Sequence, residues 1–150
     1  MKLKIPPVII FFISVAMMFG AYYVMPEWSY SFSYQTGISR IFLAAGVLVA
    51  FSGIIIFRMN RTITDPMHTD IACALVSAGF YQYTRIPMYL GMALILVGGL
   101  IRIGNPLSSF GLIFLVFYLD RFQIRQEEEV LSKLFGSRYE EYCKRVRRWI

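Results

Sequence analysis

Apolar positions gather into four runs separated by polar or turn-forming segments. Ile5 to Met25 carries no charge, and Ile41 to Phe57 is a second uncharged run flanked by Arg40 and Arg58. Each approaches the ~20 residues that cross a bilayer core. Met88 to Ile101 and Leu107 to Leu119 are shorter, and each alone would suit a buried helix or a re-entrant segment. The linker Arg102-Ile-Gly-Asn-Pro106 joins them into a tight helical hairpin, because Gly104 stops one helix and Pro106 starts the next. The pattern therefore predicts an all-α polytopic membrane protein. We place about four transmembrane helices near 5–25, 39–58, 87–102 and 106–121, in a single domain over 1–150 that closes with cytoplasmic helices at 122–149.

Beyond Leu119 the helical period continues while polarity rises. Phe122, Leu131, Leu134 and Phe135 are apolar with charges between them, and Gly136 stands where a helix-ending glycine belongs. Ser137 reads as the cap of a last amphipathic helix in which Tyr139, Tyr142, Val146 and Trp149 share a face opposite Lys144, Arg145 and Arg148. Such a helix suits a surface-lying anchor or a lid over a site.

Composition agrees with the pattern: 57% of residues are hydrophobic and 16% charged, well outside the usual balance of soluble domains. Lys2 and Lys4 before the first run raise the possibility of a signal peptide. Pro6 and Pro7 open that run, and the bulky Tyr22-Tyr-Val-Met-Pro26 offers no small-residue cleavage site, so we expect it to be retained. Eight of the 15 Lys and Arg residues lie from Arg121 onward, while the loops on the opposite side hold only Arg40 and Arg102. By the positive-inside rule both termini are expected in the cytoplasm. Tyr22, Tyr23, Trp28 and Tyr30 would then form the outer aromatic belt. The net charge of +6 serves topology and attraction to anionic lipid, and with the aromatics in apolar runs it does not point to nucleic acid.

Several chemistries are excluded or weak. Cys73 and Cys143 both fall on the predicted cytoplasmic side, so no disulfide is expected. The single His68 lacks partners at ligand spacing and predicts no metal site. A Cys73–His68 nucleophile pair would lack an orienting third group. No glycine-rich phosphate loop occurs.

What remains is Tyr81-Gln-Tyr-Thr-Arg85-Ile-Pro87-Met-Tyr89-Leu-Gly91, set before the hairpin that returns to Glu127, Glu128 and Glu129. With the pivot at Gly104 and Asn105, Tyr89 and Asp120 share a depth, and Glu127 lies seven residues further, roughly 11 Å at 1.5 Å per residue. A pocket with Arg85 and Tyr89 near the membrane and Glu127 or Glu128 below would hold a ligand of that length with a cationic amine at its far end. Glu129 reads as solvated, whereas Glu128 shares a helix face with Leu131 and Phe135 and turns inward. Arg85 would otherwise touch lipid phosphate, and Pro87 would simply begin its helix.

At these residues the chain resembles the isoprenylcysteine carboxyl methyltransferase and phospholipid methyltransferase superfamily in its short prokaryotic form. The resemblance rests on Leu75-Val-Ser-Ala-Gly79-Phe-Tyr81, Arg85-x-Pro87-x-Tyr89-x-Gly91, Glu-Glu-x-x-Leu-x-x-x-Phe-Gly, Tyr-x-x-Tyr and a closing Val146-Arg-Arg-Trp, over about residues 58–150. It implies a prokaryotic inner membrane, S-adenosylmethionine as cofactor and a lipidic acceptor arriving from the bilayer. Leu75, Val76, Tyr81, Ile86, Pro87, Met88 and Tyr89 would wrap the cofactor, Glu127 or Glu128 would take its amino group, and Gln123 would face the substrate. Arg85 and Glu128 are the implied catalytic pair: Arg85 steers an anionic acceptor, and Glu128 is the nearest group to accept a proton from an amine. The rings of Tyr81, Tyr83 and Tyr89 could face a sulfonium, an attraction of ~0.5–2 kcal/mol.

Three positions depart from the pattern. Ile86 replaces the His or Asn common before this proline, Gln82 stands where arginine is common, and Gln123 stands where isoprenylcysteine enzymes carry an arginine. A neutral Gln123 cannot grip a carboxylate as an arginine fork does. The implied activity is isoprenylcysteine carboxyl O-methyltransferase-like. Phospholipid or small hydrophobic thiol or amine methyl transfer, or a non-catalytic membrane binding module on the same fold, are the alternatives.

Overall fold

A computed structural model describes residues 5–62 and 79–149. Every regular element among them is helical. Helix α1 spans Pro7–Val24, α2 Gln35–Thr62, α3 Pro87–Ile103 and α4 Ser109–Tyr118. A π-helical segment, Leu119–Ile124, leads into α5 at Arg125–Phe135, and α6 follows at Ser137–Arg145. Three stretches are long and apolar enough to cross a membrane, Pro7–Val24, Gln35–Ile55 and Pro106–Lys133, and Pro87–Ile103 is a shorter apolar helix. The all-α polytopic membrane architecture follows. Phe12, Phe19, Leu48, Phe51, Phe110 and Phe117 are exposed on these helices, as side chains facing lipid are. Tyr23, Trp28, Tyr30 and Tyr34 are exposed near the Gly104 end.

The hairpin forms for the local reasons its sequence offers. Gly104 ends α3 at φ 68°, a left-handed conformation that only glycine adopts cheaply. The Asn105 side chain accepts from the Leu107 N–H, and Pro106 occupies the first position of the short 3-10 turn that opens α4. The same Asn105 donates 2.7 Å to the Met25 carbonyl, and Gln35 Nε2 donates 2.7 Å to the Ile101 carbonyl. These bonds gather the ends of α1, α2, α3 and α4 into one knot.

Packing separates the hairpin's two arms. Helix α3 lies most extensively on α2, and α4 on α1. Small residues allow the first contact: a Cβ on Gly91 would stand 2.5 Å from the Ala50 nitrogen, and one on Gly46 would stand 2.7 Å from the Ile95 nitrogen. Close backbone approach through glycine and alanine is the usual route to helix association in lipid, where no hydrophobic drive exists between apolar faces. Ser39 adds a 2.8 Å hydroxyl bond to the Gly98 carbonyl, an interhelical bond of a kind worth ~0.6 kcal/mol on average.

Two expectations about the C-terminal region are corrected. Ser137 does not cap α6: Gly136, at φ 53°, occupies the cap position, and Ser137 is the first helical residue with no side-chain capping bond preceding it. The last helix also ends early. Val146 is extended (φ −116°, ψ 128°), so Arg148 and Trp149 do not follow the helical period that put them on opposite faces. Trp149 packs against the apolar core containing Tyr89, Leu115 and Leu119. Arg148 turns inward, for reasons the site makes clear.

Candidate functional site

The turn before α3 is built by its own polar groups and by the end of the chain. Thr84 is buried, accepts from the Ile86 N–H at 3.3 Å and donates 2.9 Å to the Arg148 carbonyl. The Arg85 N–H donates 3.2 Å to the Arg147 carbonyl. Residues 146–149 thus run as a non-helical strap beside 84–86. Tyr142 ties α6 to the same turn through a 2.8 Å bond from its hydroxyl to the Tyr81 carbonyl. Pro87, buried at the first position of α3, needs no N–H partner.

Two acid–base contacts cross from this turn to α5. The Tyr89 hydroxyl donates 2.6 Å to Glu127 Oε1. Arg85 Nη1 donates 3.0 Å to Glu128 Oε1 and 2.9 Å to Cys143 Sγ. The expected gap of a ligand's length between Tyr89 and Glu127 is therefore closed in this conformation. A helical side chain leans toward its helix N-terminus, so Tyr89, three residues into α3, reaches back past Pro87 toward α5. The π-helical turns of Leu119–Ile124 also break the straight α-helical register assumed for the descent.

Glu128 does turn inward, with its side chain 17% exposed. Three hydrogen bonds from two arginines hold it: Arg148 approaches with Nε at 3.1 Å and Nη2 at 2.6 Å, in addition to Arg85. Arg148 Nη1 also reaches Asp120 at 3.0 Å. The hydrogen bonds to Glu128, followed by the negative charges of Glu128 and Asp120, hold the Arg148 guanidinium above its ordinary pKa despite partial burial. Glu129 forms an exposed pair with Lys133 at 2.9 Å, as its solvated position predicts.

A cavity of about 110 Å³ lies between the turn and α5, lined by Gly53, Tyr81, Arg85, Ile86, Pro87, Met88, Tyr89 and Glu127. Burial, and then the negative charge of Glu127, push the Tyr81 hydroxyl up to about 12, so it is a neutral donor at physiological pH. On the other side of Arg85, a more open cavity of about 420 Å³ is bounded by Arg125, Glu128, Ser132, Tyr139, Cys143 and Arg148 among others. Arg85 is the wall between the two. Its Nε is buried and has no hydrogen-bond partner among the described residues, and a buried donor without an acceptor costs about 1–3 kcal/mol.

The structure thus brings together Tyr81, Arg85, Ile86, Pro87, Met88, Tyr89 and Glu127 around one cavity, with Glu128 behind Arg85. Tyr83 is exposed outside the lining. Gln123 is buried in the π-helical segment and donates 2.7 Å to the Ile5 carbonyl, tying the start of α1 to the base of the site rather than lining this cavity. Leu75 and Val76, with His68 and Cys73, lie outside the described residues. Sequence reasoning missed Gly53 and the inward role of Arg148. A glycine three residues after Ala50 in a membrane helix was the available signal for the first, and the closing Val-Arg-Arg-Trp for the second.

Comparison with known proteins adds an independent line. The phospholipid methyltransferase family profile matches residues 34–138. A Haemophilus influenzae protein of unassigned function is 40% identical over 63 residues, 42% of this chain and all of that protein. Protein-S-isoprenylcysteine O-methyltransferase B of Arabidopsis thaliana is 36% identical over 72 residues, 48% of this chain and 36% of that protein. The protein-S-isoprenylcysteine O-methyltransferase of Schizosaccharomyces pombe is 38% identical over 74 residues, 48% of this chain and 30% of that protein. The match therefore spans about a third of these two methyltransferases. No solved structure matches the chain significantly.

Proposed function

Because the chain belongs to the phospholipid methyltransferase family, we propose that it is a membrane methyltransferase that takes its methyl group from S-adenosylmethionine at the Tyr81–Tyr89 turn and passes it to a membrane-partitioned acceptor. The observation that carries this reading is the convergence of Tyr81, Pro87, Met88, Tyr89 and the Glu127 carboxylate on one cavity. Bound there, the cofactor would supply a methyl group on a sulfonium, a leaving group that needs no acid. The protein's part is then placement and exclusion of water.

Each residue fits such a ligand. Glu127 lines the cavity and already accepts from Tyr89, so its carboxylate would take the ammonium. Glu128, gripped by two arginines, is suited to holding the turn in place. This refines the sequence-based preference for Glu128 toward Glu127 as the direct contact. The Arg85 Nε would find its missing acceptor in a ligand oxygen, and its guanidinium would steer an anionic acceptor. Ile86, Pro87 and Met88 supply an apolar wall that excludes water. A cavity of about 110 Å³ is below the ~300–1,000 Å³ usual for such ligands, so binding requires the site to widen.

Among acceptors, the relatives' names point to an isoprenylcysteine carboxylate. Phospholipid or small thiol and amine acceptors form a second reading, favoured by the neutral Gln123 and its bond to Ile5. Calorimetry on the detergent-purified protein tests the cofactor. We expect S-adenosylmethionine or its demethylated product to bind, and Glu127→Gln to weaken binding by roughly 10- to 100-fold, the loss of a charge-assisted bond of ~1.5–3 kcal/mol. No binding by the unmutated protein sinks the reading.

The basic loops support an inner-membrane placement with both termini in the cytoplasm, where the cofactor is made available. In a background lacking native cysteines, Ser33→Cys should label from outside intact cells and Lys144→Cys should not. The reverse pattern would put the site on the wrong face.

A further inference from the structure

Residues 146–149 leave the helical period to lie across the turn, and one side chain among them reaches both flanking segments. We propose that Arg148 is the electrostatic latch that holds a C-terminal strap against the Thr84–Ile86 turn, and that the widening of the cavity needed for binding requires this latch to release. The proposal rests on the cofactor reading only for the identity of what enters.

Arg148 joins three segments at once. Its guanidinium bonds Glu128 on α5 through two nitrogens and Asp120 in the π-helical segment through the third, and its carbonyl accepts from Thr84. Outside this residue the strap has few ties. The Arg147 carbonyl accepts from the Arg85 N–H, buried Val146 closes the last bond of α6, and Trp149 is half-buried against the core. Charge therefore acts on the strap at Arg148, while backbone bonds and apolar contacts hold its other residues. The side chains of Arg148, Asp120 and Glu128 are 33%, 28% and 17% exposed, wet enough for salt to reach them. Salt screens such pairs strongly, since the Debye length falls from ~10 Å at 0.1 M to ~3 Å at 1 M.

The latch also accounts for how a ligand is sensed. Glu128 is shared by Arg148 and Arg85, and Arg85 is the wall between the enclosed cavity and the open one. A ligand oxygen that draws Arg85 toward its Nε would loosen one side of Glu128 and leave it to Arg148 alone.

Cys143 reports on the latch without requiring any ligand, because it lines the open cavity beside Arg85 and Arg148. In a Cys73→Ser background, the rate at which the neutral reagent N-ethylmaleimide modifies Cys143 is measured for the unmutated strap, Arg148→Ala, Arg148→Lys and Thr84→Val. Thr84→Val removes one of the strap's two backbone ties, together with the bond from the Ile86 N–H, at a residue that lines neither cavity. We expect Arg148→Ala to label about five- to tenfold faster, with Arg148→Lys and Thr84→Val also faster, because a lysine cannot fork between two carboxylates. Raising salt from 0.1 to 1 M should speed labelling of the unmutated strap and have little effect on Arg148→Ala. A rate unchanged in Arg148→Ala and Thr84→Val overturns the proposal. So does a rise confined to Arg148→Ala while the unmutated strap's rate does not respond to salt, which would reflect only the smaller side chain. Should Arg148→Ala fail to fold, the salt response of the unmutated strap and the Thr84→Val rate decide the question. Addition of the demethylated cofactor should slow labelling; if salt and variants behave as expected but the cofactor has no effect, the cofactor reading fails and the latch stands.

Discussion

Glu128→Ala should destabilise the cytoplasmic half of the protein more than any other single change in the site. The variant leaves Arg85 without its carboxylate partner and Arg148 with Asp120 alone. Breaking a buried ion pair by removing one partner costs ~3–5 kcal/mol. These groups keep some water contact, with Arg85 and Glu128 side chains 17% exposed, so we expect a loss at or just below that range's lower limit, ~2–3 kcal/mol. Thermal denaturation in detergent, followed by proteolysis within α5 and α6, would register the loss. An effect no larger than that of Glu129→Ala, which removes only an exposed pair with Lys133, would show that Glu128 does not hold the region together.

Gly91→Val is the corresponding change inside the membrane. A Cβ there stands 2.5 Å from the Ala50 nitrogen and 2.6 Å from its Cβ. Both are parts of α2 that cannot swing aside, so α3 must move off α2 and take the Pro87–Tyr89 end of the site with it. Overpacking costs typically ~1–3 kcal/mol and sometimes more, and a contact against backbone belongs at the upper end. Gly20→Val, in α1 with nothing within 4 Å of the point where its Cβ would stand, should be close to neutral. Comparing the thermal midpoints of the two variants in detergent checks this; equal losses would mean that close approach at Gly91 is not what joins α2 to α3.

How far the sequence carried this picture depends on whether each feature is local. The Gly104-Asn-Pro106 turn was legible because a left-handed glycine, a side-chain cap and a first-position proline act within three residues of one another. The Arg85–Tyr89 turn and the inward side of Glu128 were legible for the same reason, from proline placement and helix-face spacing. The pairing of α2 with α3 was not, since Gly46, Ala50 and Gly91 become partners only once two helices meet. The strap escaped detection because Tyr139, Tyr142, Val146 and Trp149 keep a helical spacing past the point where the helix stops. Tertiary bonds from Thr84 and the Arg85 N–H take over at Val146 and override that period. The distance from Tyr89 to Glu127 was overestimated because backbone rise was counted without the backward lean of the tyrosine side chain.

The most direct test of the central claim is an experimental structure of the protein with the demethylated cofactor at saturating concentration. We expect nucleoside density against Tyr81, Pro87, Met88 and Tyr89, with the ligand's amino group at Glu127 and an oxygen within bonding distance of Arg85 Nε. Density elsewhere on the protein, or none in this cavity, would contradict the account.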